Sequence, residues 1–185
     1  MRNLRLVLVL VVLAACARTS GTVEIPAEEL PFPVARESVP GETPAPLRHF
    51  TIYFVRADRL LGVGRVADVD APLAEVSLRA LLEGPSATDQ RSGIRTELST
   101  AVRLLDVRIA GTTAVVDLSG ELQEPAAPTQ IALRVAQVVW TLTELAGVGE
   151  VLFAIDGEPV EIATSDGTVV DRAVTRADYA AFAPS

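Results

Sequence analysis

The chain has 185 residues, 49% of them hydrophobic, with one cysteine, one histidine and a formal net charge of −8 at pH 7. This length and apolar content predict one domain with a real core, and a single cysteine excludes an intrachain disulfide framework. All 16 basic residues are arginines. An acidic chain without basic clusters argues against a nucleic-acid partner and against electrostatic docking on anionic lipid.

The N-terminal residues have the pattern of a signal peptide. Arg2 and Arg5 precede an apolar run that ends at Ala15, directly before Cys16. The run is far shorter than the roughly 20 residues of a membrane-spanning helix, so residues 1–15 are expected to be a signal that is removed. Leu13-Ala14-Ala15-Cys16 resembles a bacterial lipobox, and this resemblance implies cleavage before Cys16 and a lipid on its thiol. A plain signal peptide cut beside a cysteine is the alternative.

The next segment is predicted to be a tether. Six of the twelve prolines fall between residues 17 and 47, among small and acidic residues. Such a sequence cannot bury enough apolar surface to offset the cost of ordering, and proline favours extended geometry. We therefore expect the lipidated Cys16 and a disordered tether over residues 16–48, with a folded domain over residues 49–183. Any membrane contact is then expected through the lipid on Cys16, at the outer face of the cell membrane.

The first half of the predicted domain contains two strands and a helix. Residues 50–55 are aromatic and β-branched, which predicts a strand, and residues 60–66 predict a weaker one paired with it. A helix is expected from Pro72 to Glu83, where Gly84-Pro85 ends it. Residues 86–100 are polar and are predicted to be irregular.

The second half repeats this order. Strands are predicted over 102–109 and 114–118, followed by the longest helix over 129–146. Asp156-Gly157 and Asp166-Gly167 are two-residue hairpin signals. They separate predicted strands at 151–155, 160–163 and 169–170, and Thr175 with Asp178 resembles the capping box of a short last helix.

The order β-β-α-β-β-α-β-β predicts the fold class. Strand pairs that alternate with helices indicate an α/β (α+β) domain, with a single mixed sheet packed by two main helices. The two halves share the same order of elements, which suggests an internal duplication without evident sequence identity between them.

Polar residues on the long helix form one narrow stripe. They include Arg134, Gln137, Thr141 and Glu144, and nearly every other position is apolar. A helix with so thin a polar face is expected to be mostly buried. The stripe is then either a ridge that a partner binds or only the solvated face of a buried helix.

The sequence contains no convincing catalytic pattern. A triad or a zinc site would depend on His49, at the entry to the domain. Asp117 and Glu121 share one face of a strand, but their predicted separation of about 13 Å exceeds the spacing of glycosidase carboxylates. Asp117 and Ser119 are also typical of turns that bind exposed backbone groups. We therefore predict no catalytic residue, no metal site and no cofactor.

Four segments resemble a known family. Residues 81–85, Leu-Leu-Glu-Gly-Pro, precede Gly93-Ile94, and residues 115–119 read Val-Val-Asp-Leu-Ser. Residues 136–144 contain Trp140 and end in Thr-Leu-Thr-Glu, and residues 151–157 end in Ile-Asp-Gly. In this order they resemble the GerMN domain of sporulation and germination lipoproteins. Residues 97–100, Glu-Leu-Ser-Thr, depart from the family's turn.

The resemblance implies an α/β domain without catalytic residues, similar to ring-building modules of envelope assemblies. We expect a non-enzymatic, lipid-anchored module that binds another envelope protein or a copy of itself. A small-ligand-binding lipoprotein is one alternative, and it requires a pocket with converging polar groups. An envelope hydrolase that uses Asp117 or Glu121 is the other.

Overall fold

The computed structural model describes residues 46–184. The predicted signal peptide, Cys16 and nearly all of the tether lie outside these residues. One compact unit contains the whole described part of the chain.

The domain begins with a long antiparallel hairpin. Strands β1 (Leu47–Arg56) and β2 (Arg59–Asp68) pair along their whole length. Ala57 and Asp58 form the turn, and both have positive φ, as the tight turns that match the twist of a hairpin require. The two strands form a separate two-stranded sheet. Each strand extends further at both ends than the sequence predicts.

Two helices follow the hairpin. Helix α1 (Leu73–Glu83) ends at Gly84, as predicted, and packs on β1. Helix α2 (Ala87–Arg91) lies in the segment that was expected to be irregular, so that prediction is wrong there. Its capping box explains it, because the Ser86 hydroxyl accepts from the Asp89 N–H and the Asp89 carboxylate accepts from the Ser86 N–H.

A four-stranded sheet occupies the second half, in the order β3-β4-β5-β6. Strands β3 (Leu104–Ala110) and β4 (Thr113–Leu118) are antiparallel, and β4 is parallel to β5 (Glu150–Ile155). Helix α3 (Pro128–Leu142) connects β4 to β5, as a parallel pair requires. It ends four residues earlier than predicted.

The C-terminal part is built from short pieces. Strand β6 (Glu158–Pro159) returns from the Asp156-Gly157 turn, and β7 (Ile162–Ala163) pairs with β8 (Val169–Val170) around the Asp166-Gly167 turn. The predicted last helix is a 3₁₀ segment, Arg176–Phe182, with the expected capping box.

The predicted class is confirmed: two main helices, α1 and α3, pack on a mixed sheet. The strands differ from the prediction in one respect, because they divide among three sheets instead of forming one. A hairpin followed by a helix occurs twice, in the order that suggested an internal duplication.

Helix α3 lies at the centre of the core. It packs against β1, α1, β5, β7 and the 3₁₀ segment, and most of its residues are buried. Alternate residues of β4 and β5, such as Val116 and Phe153, point into the same core, whereas the residues between them form the half-exposed outer face of the sheet.

Candidate interaction surface

Three members of the polar stripe on α3 point inward. Arg134, Gln137 and Thr141 are buried, so the expectation that this stripe faces solvent is wrong for them. Buried polar groups require hydrogen-bond partners, and these three side chains find theirs in the backbone of other elements. The stripe therefore joins elements inside the domain instead of offering a ridge on its surface.

Gln137 and Thr141 cover the free edge of β1. The Tyr53 N–H donates to Thr141 Oγ1 over 3.0 Å, and Gln137 Nε2 donates to the Tyr53 carbonyl oxygen over 3.1 Å. Gln137 Oε1 accepts from the Glu97 N–H over 2.8 Å. These helix side chains take the place of a neighbouring strand for β1.

Arg134 binds the loops at the start of α3. Its guanidinium donates to the carbonyl oxygens of Glu97, Leu122 and Glu124, over 2.9, 3.2 and 2.6 Å. The departure from the family turn at residues 97–100 therefore occurs in a loop that Arg134 and Gln137 both hold.

Glu144 lies beyond the end of α3 and belongs to a different cluster. Its carboxylate accepts from the Tyr53 hydroxyl and from Arg176. The Arg176 guanidinium also lies over the Trp140 ring, 4.5 Å from the ring centroid. The hydrogen bond from Arg176 lowers the pKa of Glu144, and burial with the bond to Glu144 raises the pKa of Tyr53. The cluster attaches the C-terminal 3₁₀ segment to α3 and β1.

The carboxylates proposed for hydrolysis make structural contacts. Asp117 Oδ1 accepts from the Gly157 N–H over 3.1 Å at the β5–β6 turn. Glu121 lies 3.8 Å from Arg103, and hydrogen bonding by Ser119, aided by Arg103, lowers the pKa of Glu121. A glycosidase acid needs a carboxyl group whose pKa is raised. The pair therefore gives no support to the hydrolase alternative.

Residues 46–184 contain neither a cluster of metal ligands nor a helix that could span a membrane. No group of three or more His, Cys, Asp and Glu side chains in this range could hold a metal ion. Over the same residues, no helix has the length and apolarity to cross a bilayer. His49 lies on β1 and is exposed.

The clefts of the domain are open grooves on its surface. One groove, of about 630 Å³, lies between β2 and α1 and is lined by Arg65 and Arg79 among others. Both arginines are already paired, Arg65 with Asp89 and Arg79 with Glu75. A small-ligand site needs polar groups that converge on an empty space, so this groove does not strengthen that alternative.

The outer edge of β3 has no neighbouring strand among the described residues. β3 is an end strand, and its residues make no backbone hydrogen bonds outside the ladder to any element within residues 46–184. Leu105 and Ile109 are 47% and 46% exposed, and Asp106 and Arg108 between them are exposed too. An unpaired edge with apolar side chains is a surface on which another chain can pair. The sequence predicted this strand but not that its edge is free.

The sequence pattern of the family described as "Germane: Sporulation and spore germination" matches residues 51–161. A search of characterised protein sequences finds no match.

Three solved structures are similar in fold. The tandem GerMN domains of the sporulation protein GerM from Bacillus subtilis are 20% identical with a TM-score of 0.55, over 72% of this chain and 46% of that one. This chain thus spans about half of the tandem structure. The first GerMN domain alone is 18% identical with a TM-score of 0.51, over 70% and 98%. A Clostridium perfringens protein, described provisionally as a lipoprotein, is 17% identical with a TM-score of 0.52, over 74% and 92%.

Proposed function

The chain belongs to the Germane family of sporulation and spore germination domains, and on that premise we propose that it is a non-enzymatic, lipid-anchored protein of the cell envelope. Its folded domain binds another protein and catalyses no reaction. Lipid on Cys16 holds the domain at the outer face of the cell membrane, and the partner is another envelope protein or a further copy of this chain.

The open edge of β3 is the observation that carries the interaction role. Soluble domains usually protect such an edge, because its unpaired N–H and C=O groups bind other strands. Here the edge has exposed apolar side chains at Leu105 and Ile109. The polar side chains that could have suggested chemistry, Gln137, Asp117 and Glu144, are instead engaged in holding the fold.

The lipid anchor is supported by the N-terminal sequence. Ten apolar residues, Leu6 to Ala15, end at the lone cysteine, Cys16, and the length of this run suits a removable signal. The description of the similar Clostridium perfringens protein as a lipoprotein agrees with this assignment.

The anchor can be tested with labelled palmitate in growing cells. Wild-type protein should incorporate the label and stay in the membrane fraction, whereas Cys16→Ser should do neither. Ala17→Ser introduces the same side chain one position later and should behave as wild type. Label on the Cys16→Ser protein, or an unacylated mature N-terminus in wild type by mass spectrometry, would contradict the anchor.

The interaction role can be tested by crosslinking in cells. The chain has no lysine, so amine-reactive reagents find no side chain, and a photo-reactive residue is placed at Leu105 or Ile109 instead. Val169, which is 58% exposed on β8, is the control site. A protein captured from β3 but not from Val169 supports the role. Uncrosslinked monomer alone at all three sites argues against it.

A further inference from the structure

The edge of β3 has a sequence that is complementary to itself. Five exposed or half-buried residues follow one another: Leu105, Asp106, Val107, Arg108 and Ile109. Reversed about Val107, the order places an acid opposite a base and an aliphatic residue opposite an aliphatic residue. In antiparallel strands, directly opposite residues lie on the same face and interact in pairs.

We propose that β3 pairs antiparallel with β3 of a second copy of this chain, about a twofold axis at Val107. Asp106 of each copy then lies opposite Arg108 of the other, and Val107 lies opposite Val107. The two four-stranded sheets become one continuous sheet. This inference rests on the proposed interaction role and names the partner and the surface.

Charge selects this register over its neighbours. A shift of the axis by one residue places Asp106 opposite Asp106 of the second copy, or Arg108 opposite Arg108. Like charges directly opposite each other are unfavourable. A register that pairs an inward-facing residue with an outward-facing one would turn one sheet over. The core-facing side of one copy would then be continuous with the outer face of the other.

In a single chain, the Asp106 and Arg108 side chains are exposed and can form ion pairs with a second copy. Asp106 and Arg108 lie on the outer face of the sheet, opposite Asp117 and Val115 of β4, and their side chains are 58% and 67% exposed. They form a loose ion pair within the strand, with 3.6 Å between Arg108 Nη1 and Asp106 Oδ2. Pairing about Val107 replaces this contact with two contacts between copies.

A bulge limits the length of the contact. The β3–β4 register shifts between Leu104 and Asp106, and a bulge bends an edge strand and ends regular pairing. The regular part of β3 is therefore short, from Asp106 to Ala110, and it contains Asp106, Val107 and Arg108, the residues of the proposed charged pairs. A short contact fits an association that the membrane strengthens by confining both copies to one surface.

Charge reversal tests the proposal on the full-length, lipidated chain in detergent. Sedimentation should show a monomer–dimer equilibrium for wild type at concentrations up to roughly 0.1 mM, the weak end of specific association. Asp106→Arg and Arg108→Asp should each weaken the dimer about tenfold or more, because each brings like charges together. The double variant should regain wild-type affinity.

A mixture of the two single variants separates pairing from any effect within one chain. Neither variant regains its own ion pair, yet every cross-strand pair between them is an acid opposite a base. The equimolar mixture should therefore dimerise as wild type does. At concentrations where every protein is monomeric, far-UV circular dichroism and thermal midpoints should match wild type for all variants, because both side chains are exposed.

Three results would overturn the inference: wild type that is monomeric throughout, single variants that dimerise as wild type does, or a mixture that stays monomeric. Capture of a different envelope protein at Leu105, with no self-association, would overturn the inference and leave the proposed interaction role intact. If neither self-association nor capture of another protein is observed, both this inference and the proposed interaction role are contradicted.

Discussion

Gln137 joins three separate parts of the chain at the residue scale. Its side chain is fully buried and contacts the Tyr53 carbonyl oxygen, the Glu97 N–H and the Thr96 hydroxyl. A buried amide that satisfies several backbone groups contributes more than its hydrogen bonds alone, because its removal leaves those groups without water or a partner.

Gln137→Leu should therefore lower the free energy of unfolding by about 2–4 kcal/mol. The leucine has a similar volume, so the loss reports unsatisfied polar groups more than a cavity. Urea denaturation measures this loss, provided that the dependence of the unfolding free energy on urea concentration is the same in both proteins. Gln123→Leu, at an exposed position of the 3₁₀ turn Gly120–Gln123, is the control and should cost less than about 1 kcal/mol. Equal effects would show that burial of Gln137 does not matter.

The sequence predicted which residues form the polar stripe but not where they point. Gln137 and Thr141 recur at helical spacing whether they face water or the backbone of a strand, since the spacing fixes only that they share a face. One signal was present in the sequence: both residues are uncharged, whereas the solvent-exposed face of a helix usually has charged residues. The free edge of β1 that they cover comes from residues more than eighty positions away.

The C-terminal 3₁₀ segment shows how one carboxylate can fix an element. Asp178 accepts from the N–H and the hydroxyl of Thr175, over 2.8 and 3.0 Å, and from Arg172 over 2.7 Å. Its hydrogen bond with Arg172, followed by those with Thr175, lowers the pKa of Asp178 from 3.8 to about 2.

This lowered pKa predicts a stability that depends on pH. The ionised carboxylate is favoured in the folded state, so its contribution is complete above the unfolded pKa of 3.8 and is lost as the pH falls towards 2. After allowance for screening by solvent, the contribution is on the order of 1–2 kcal/mol. Asp178→Asn should flatten the dependence of the unfolding free energy on pH between 4 and 2.

Asp171→Asn provides the matched control, because Asp171 is exposed and lies shortly before this segment. Its profile should follow wild type in chemical denaturation at each pH. An Asp178→Asn profile as steep as that of wild type would assign the acid sensitivity to other carboxylates.

Elements that are encoded by a local sequence signal could be predicted, whereas very short helices and strands could not. The Thr175–Asp178 capping box and both Asp-Gly turns are encoded within a few residues, and the structure has all three. Helix α2 has five residues, too few for a periodic pattern, although the Ser86–Asp89 box was visible in the sequence. Strand β6 has only two residues and no pattern to read.

Helix α3 joins the main parts of the described domain, residues 46–184, so we expect these parts to unfold as one unit. It contacts the first hairpin, α1, the four-stranded sheet and the 3₁₀ segment. Trp140, the only tryptophan of the chain, lies on α3 beneath Arg176. Tryptophan fluorescence therefore reports the place where these parts meet, whereas far-UV circular dichroism reports all of them.

The two signals should change together in urea, with the same midpoint, as expected for two-state unfolding. Arg176→Met removes the stacked cation and the ion pair to Glu144. It should lower both midpoints by the same amount, equivalent to about 1–2 kcal/mol. A fluorescence change that precedes the loss of secondary structure would show that the 3₁₀ segment detaches first.

The division of the strands among separate sheets could not be predicted from the sequence. Hairpin signals predicted each strand pair, and the helix between β4 and β5 accounts for their parallel pairing. Whether the first hairpin joins the larger sheet depends on what covers the second edge of β1. That edge is taken by Gln137 and Thr141 and by the bridge between Val55 and Arg95, contacts that no local pattern shows.

Strand β6 sets the limit of what the open edge could build. It closes the end of the sheet opposite β3 with two residues, and one of them, Pro159, has no N–H to donate. A twofold contact is the same on both copies and uses up both β3 edges. Growth through β3 would stop at two chains, so this contact would give closed pairs and no fibres.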